Sequence, residues 1–167
     1  IASSATPLPS TDLATTELVA PHTLPGAIDL TASPDDLFER IRNGFAMPNL
    51  TGDLVLAQQQ WYLNRPDYLR RMVDRSSRYL HFIVEEIERR GMPTELAFLP
   101  MVESAFNPVA YSRAHASGLW QFIPSTGKSY NLKQDWWIDQ RRDVVAATSA
   151  ALDYLQYIYD MHGDWFL

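Results

Sequence analysis

The chain has 167 residues, 46% of them hydrophobic and 20% charged, which suits one domain with a sizeable core. Its net charge of −6 argues against sequence-independent nucleic-acid binding, and the absence of cysteine excludes disulfides, thiol catalysis and zinc–thiolate sites. His22, His81, His115 and His162 lack metal-ligand spacing, so neither a metal nor another cofactor is expected, and no apolar run approaches the roughly 18 residues of a membrane span.

Residues 1–33 contain no Lys or Arg and carry Pro7, Pro9, Pro21 and Pro25 among Ser, Thr and Ala. Such a segment offers little apolar surface against its ordering entropy, so it reads as an extended or flexible arm. The alternative is a strap laid over the domain, held by Leu18, Val19, Ile28 and Leu30. The chain opens on Ile without a signal peptide and reads as a piece of a longer precursor.

Helical patterning begins at Ser33-Pro34-Asp35-Asp36, an N-cap followed by a first-turn proline and two acids that suit the helix dipole. Leu37, Ile41 and Phe45 then recur every fourth residue. A second helix is expected over about 52–63, with Leu54, Val55, Gln58, Trp61 and Tyr62. A third, long helix is expected over about 65–90. Its apolar face is Tyr68, Met72, Tyr79, Leu80, Ile83 and Ile87, and Gly91 is its stop. Arg70, Arg71, Glu85, Glu86 and Arg89 read as its solvated face.

Thr94 opens a fourth helix that runs to Ser104, with Pro100 expected to kink it and Asn107-Pro108 to end it. Short helices are expected over 117–123 and 124–130, followed by a loop holding Trp136-Trp137. A last helix, about 142–161, turns Val144, Val145, Thr148, Ala151, Leu152, Leu155 and Ile158 inward and stops at Gly163. With no repeat and no strand pattern, the fold class is all-α. The expected organisation is an arm over 1–33, a helical lead-in over 34–92 and a functional region over 93–167.

The chemistry concentrates in Glu103-Ser104-Ala105-Phe106-Asn107-Pro108 and Ala116-Ser117-Gly118-Leu119-Trp120-Gln121-Phe122-Ile123-Pro124. Periodicity alone allows Glu103 to be a surface or capping residue. Against that, negative charge is unfavourable near a helix C-terminus, and Leu99, Met101, Val102 and Phe106 around it are apolar. The carboxyl is therefore expected to be part-buried, and burial there raises a carboxyl pKa toward the range a general acid needs. Gln121 is either a satisfied core amide or a donor–acceptor pair for an acetamido sugar. Gly118 is either a turn residue or a place where backbone approaches a ligand. Tyr130 and Trp136-Trp137 fit a core or a sugar groove equally well.

These blocks resemble the catalytic block of the lytic transglycosylases, goose-lysozyme-like enzymes that cleave bacterial cell-wall glycan, and most of all their membrane-bound D branch. Glu-Ser, Phe-Asn-Pro, Ser112, Ala-Ser-Gly-Leu-Trp-Gln, Pro-x-Thr, Ile138-Asp139-Gln140-Arg141 and Ala-Ala-Leu-Asp-Tyr-Leu occur in order over about 68–167. The resemblance implies a goose-lysozyme-like helical domain with Glu103 as its catalytic acid. It assigns Ser112, Ser117, Gly118, Gln121, Ile123 and Tyr130 to substrate binding, and Asp139 and Arg141 to opening the last helix.

The same resemblance implies peptidoglycan strands as partner, no nucleic acid, and a periplasmic place associated with the outer membrane. It implies 1,6-anhydro-muramyl products, the alternatives being lysozyme-type hydrolysis or a non-catalytic glycan-binding fragment. Family members carry Ala-x-Ala-Tyr-Asn-x-Gly soon after the position matching Leu167. A companion C-terminal segment is therefore expected, with the domain incomplete without it.

Overall fold

The computed structural model describes residues 36–166, and the arm expected over 1–33 lies outside them. Asp36 caps the first helix, α1 (Leu37–Asn43), accepting the Phe38 N–H at 2.8 Å. The cap expected at Ser33 likewise falls outside the described residues. Helix α2 (Asp53–Leu63) follows. It buries none of its residues, and Leu54 is 84% exposed.

The long helix expected over 65–90 is two helices, α3 (Pro66–Ser76) and α4 (Leu80–Arg89). Two adjacent serines explain the break. Ser76 Oγ donates to the Val73 carbonyl and Ser77 Oγ to the Asp74 carbonyl, each at 2.7 Å. Side-chain bonds of that kind compete with the helical ladder. The apolar face continues across the break, with Met72, Leu80, Ile83 and Ile87 buried. Glu86 departs from the solvated face expected for it. It is only 12% exposed and pairs with Arg89 and Arg90.

Thr94–Phe98 is a 3₁₀ segment, and only Leu99–Ser104 is α-helical (α5). Pro100 accounts for the late start, because it lacks an N–H and fits only the first turn of a helix. The helix ends earlier than Asn107-Pro108, at left-handed Ala105 (φ 50°). Residues 117–123 form no helix. They make a tight turn closed by an antiparallel bridge between Ser117 and Phe122. Helix α6 (Pro124–Ser129), a 3₁₀ turn (Gln140–Arg142) and helix α7 (Val144–His162) complete the described elements, and left-handed Gly163 ends α7. The chain is thus all-α, with isolated bridges but no strand among the described residues.

One core runs through these elements. Leu80, Ile83, Val84 and Ile87 of α4 meet Leu96, Leu119, Trp120 and Phe122, together with Ala147, Ala151 and Leu152 of α7. The alanines of α7 let neighbouring elements approach closely, while Val145, expected inward, is 63% exposed. The Trp120 indole N–H donates to Thr148 Oγ1 at 2.9 Å inside this core. Thr148→Val keeps the shape but leaves that donor unpaired. We expect a loss of about 1–3 kcal/mol, read as a lower thermal midpoint without loss of helical signal.

Candidate active site

Short-range sterics place the first block. Ala105 and Phe106 both adopt positive φ (50° and 55°), which turns the chain sharply after Glu103-Ser104. Arg75 steadies the corner by donating to the Ala105 carbonyl at 3.0 Å. Ser104 then joins the two sequence blocks. Its Oγ lies 3.0 Å from the Pro100 carbonyl and 2.8 Å from the Leu119 carbonyl. The helix end bearing Glu103 is thereby fastened to the turn bearing Gln121. Nothing in the periodicity singles out Ser104 for that task; its place beside Glu103 in the first block is the only hint.

The carboxyl of Glu103 corrects the sequence expectation. Glu103 is exposed, as is Val102 beside it. Helix α5 has only six residues, and it packs through Pro100, Leu99 and Met101. The other side of so short a helix meets solvent. Glu103 thus stands at the rim of the fold, open to a ligand.

Ser112 shapes the loop between the blocks. Its Oγ accepts the Ala116 N–H at 3.1 Å, and its N–H donates to the Ala116 carbonyl at 2.9 Å. Ser117 is fully buried, and its Oγ accepts from Arg142 Nε at 3.0 Å. Direct contact between the Ser117 side chain and a substrate, expected from the resemblance, does not fit that burial. The fold itself accounts for Gly118. Its φ is +85°, and a Cβ there would lie 1.8 Å from the Arg141 carbonyl oxygen. The backbone that approaches Gly118 is the protein's own.

Gln121 sits at positive φ (51°), with its side-chain amide N–H donating to the carbonyls of Gly118 (2.8 Å) and Ala110 (3.3 Å). The amide oxygen has no protein donor among the described residues, which leaves an acceptor on offer. Ile123, 44% exposed, leads into α6. Tyr130, just past α6, packs edge-on against Tyr154 of α7 with ring centroids 5.4 Å apart. Burial, and then neighbouring Tyr154, push its hydroxyl pKa above the ordinary value. Backbone and side-chain hydrogen bonds tie Ser112, Ser117, Gly118 and Gln121 into one turn, with Ile123 directly after it, and Ser104, the neighbour of Glu103, is bonded to that turn through the Leu119 carbonyl. Tyr130 belongs to the packing between α6 and α7.

Arg141 clamps this unit. It is 6% exposed and donates to the carbonyls of His115 (2.7 Å) and Phe122 (3.0 Å), while Asp139 holds its Nε and Nη2 at 2.9 and 2.7 Å. The Arg141 guanidinium keeps the Asp139 carboxyl below the usual range. A depressed carboxyl contributes stability above its unfolded pKa of about 3.9, and that contribution is lost as pH falls through the lower folded value. Asp139→Asn should therefore cost about 2 kcal/mol at neutral pH, less than a fully buried pair because Asp139 is a quarter exposed. The variant should also lose less additional stability than the parent on going below pH of about 4. Denaturant melts at neutral and acid pH check both.

Asp135, Asp139 and Asp143 are the acids that follow Gln121 up to the start of α7. All three are engaged structurally: Asp135 accepts the N–H groups of Trp137 and Ile138, Asp139 holds Arg141, and Asp143 caps α7 through Val145 and Ala146. Among the described residues no group of three His, Asp or Glu side chains is arranged to hold a metal ion. A cleft of about 580 Å³ beside Trp61, Arg65 and Tyr68 contains none of the residues of this unit.

Against known proteins, the family model described as transglycosylase SLT domain matches residues 81–167. The chain is 45% identical over 137 residues to membrane-bound lytic murein transglycosylase D of Escherichia coli (strain K12), covering 81% of this chain and 30% of that protein. It is also 45% identical over 93 residues to an Alteromonas protein named for tributyltin chloride resistance, covering 55% of this chain and 45% of that one. The chain thus spans less than half the length of either relative.

Proposed function

Because this chain belongs to the transglycosylase SLT domain family, we propose that its parent is a peptidoglycan lytic transglycosylase. It cleaves the β-1,4 bond between N-acetylmuramic acid and N-acetylglucosamine and releases 1,6-anhydro-muramyl ends. The observation carrying this reading is the Ser104–Leu119 bond, which fastens the only acid of the first block to the Gln121 turn.

In this scheme Glu103 donates its proton to the glycosidic oxygen as the bond to the anomeric carbon breaks. The substrate's acetamido oxygen stabilises that carbon. The Glu103 carboxylate then takes the proton of the muramyl 6-hydroxyl, whose oxygen closes the anhydro ring. One carboxyl serves as acid and then base, unlike the paired carboxylates of most glycosidases. Glycan lying over the α5 rim would exclude the water that now reaches Glu103. The free amide oxygen of Gln121 accepts a sugar N–H or O–H.

We place residues 34–92 as a lead-in and 93–167 as the N-terminal part of the catalytic region. The parent acts in the periplasm at the outer membrane, and a further segment carrying the Ala-Tyr-Asn motif completes the site. Mass analysis of products from purified peptidoglycan tests the reaction. Anhydro ends, lighter by one water than reducing ends, are expected; reducing ends alone make the parent a hydrolase.

A further inference from the structure

Trp136 and Trp137 are 89% and 87% exposed, the most exposed aromatic pair among the described residues. Each indole brings about 150–250 Å² of largely apolar surface that folding ordinarily removes from water. Their exposure is held in place by the loop itself. Asp135 Oδ1 accepts the N–H groups of Trp137 and Ile138, both at 2.8 Å, and the Asp135 N–H donates to the Ile138 carbonyl at 2.8 Å. An antiparallel bridge joins Gln134 to Asp139 below the turn. The Gln140 side chain accepts the Lys133 N–H at 2.7 Å, and the Gln140 N–H returns to the Lys133 carbonyl at 2.9 Å. The two indoles therefore stand on a braced two-residue tip.

The tip is anchored beside the candidate site. Gln134 Nε2 donates to the Pro124 carbonyl at 3.0 Å, next to exposed Ile123 and three residues from Gln121. Its charges are internally matched, with Lys133 paired to Asp135 at 3.0 Å and Arg141 to Asp139 at 2.7 Å. A tip that enters an anionic bilayer sets tryptophans beside free Lys or Arg. Here the two cations that brace the loop, Lys133 and Arg141, are paired and the whole chain is acidic. Two indoles on a charge-neutral base complement the uncharged C–H face of a sugar ring.

The geometry points to Trp136 and Trp137 as a glycan-binding platform, a contact outside the Glu103–Gln121 unit on which rings of the same strand stack. This rests on the glycan-cleaving reading above, and the platform acts on strand affinity rather than on the bond broken. The test uses the full-length protein carrying Glu103→Gln to stop turnover, with purified peptide-free glycan strands as probe. Trp136→Ala/Trp137→Ala should raise the Kd for strands about tenfold or more. Trp136→Phe/Trp137→Phe, which keeps stacking rings, should raise it no more than about threefold. Because both side chains are exposed, the thermal midpoint should stay within about 2 °C of the parent.

An unchanged Kd in the double Ala variant overturns the platform. So does Trp-dependent co-sedimentation with phosphatidylethanolamine–phosphatidylglycerol vesicles while strand binding is unaltered, which assigns the tip to a lipid surface. Failure of the parent reading shows elsewhere, as an unmutated protein that releases no anhydro products. The binding comparison reads the platform independently of that outcome.

Discussion

Glu103→Gln in the full-length protein is expected to lower turnover of peptidoglycan by at least about 10³-fold while leaving the fold intact. General acid–base assistance is worth about 10²–10⁴-fold, and here one carboxyl would serve both proton transfers. The amide is nearly the same size and shape but can neither give nor take the proton. Exposure of Glu103 makes the stability side of the prediction firm. Exposed substitutions away from special features stay within about 0.5 kcal/mol. Anhydro-product formation and a thermal melt on the same preparation separate the two effects. A variant that keeps more than about a tenth of the parent rate removes Glu103 from the acid role.

Gly118→Ala is expected to be the most damaging single-atom change in the described structure, at about 4 kcal/mol, the exceptional end of the single-substitution range. Two costs combine. A left-handed conformation costs a residue with a Cβ about 1–2 kcal/mol. The added carbon would also lie 1.8 Å from the Arg141 carbonyl oxygen and 2.7 Å from its carbon, both rigid backbone atoms. Relief requires the Gln140–Arg142 turn to retreat, which draws the Arg141 guanidinium away from the carbonyls of His115 and Phe122. Activity should fall together with the melting temperature. Gly91→Ala is the control, because Gly91 has a similar φ of +65° with nothing within 4 Å of the missing Cβ. If both substitutions cost the same, the collision with Arg141 plays no part.

Much of this was legible from residue order. Periodicity placed α2, α6 and α7 close to their observed bounds, because each is delimited by local signals: Gly52 before α2, Pro124 opening α6, and Gly163 at φ 70° closing α7. The all-α class followed from the same patterning. The two chemical blocks stood out because a carboxylic acid in an apolar run and a Gln between two aromatics are uncommon pairings. The family was legible as a resemblance of these blocks, in order, to the lytic transglycosylases.

Other features were illegible for identifiable reasons. Ser76 and Ser77 break a helix that apolar periodicity carries straight through, since an apolar face does not reveal a side chain bonding back to a carbonyl. Residues 117–123 read as helical because apolar residues cluster there. Their conformation is set by the Ser117–Phe122 bridge and by Gln121 at positive φ. Burial of Glu103 was inferred from its sequence neighbours, but neighbours along a six-residue helix point in different directions.

Residue order by itself determined which groups are available: one acid in the first block, a Gln and a Gly in the second, two adjacent tryptophans, and the apolar faces that make the fold helical. Those depend on residue type and short-range geometry. Only the tertiary structure decided how the groups are used. Gly118 packs against the Arg141 carbonyl, Ser117 is buried against Arg142, Ser104 bridges to Leu119, and Trp136 and Trp137 are exposed among the described residues. Each of these depends on segments distant in sequence arriving at the same place, or on none arriving, and local propensity carries no record of that.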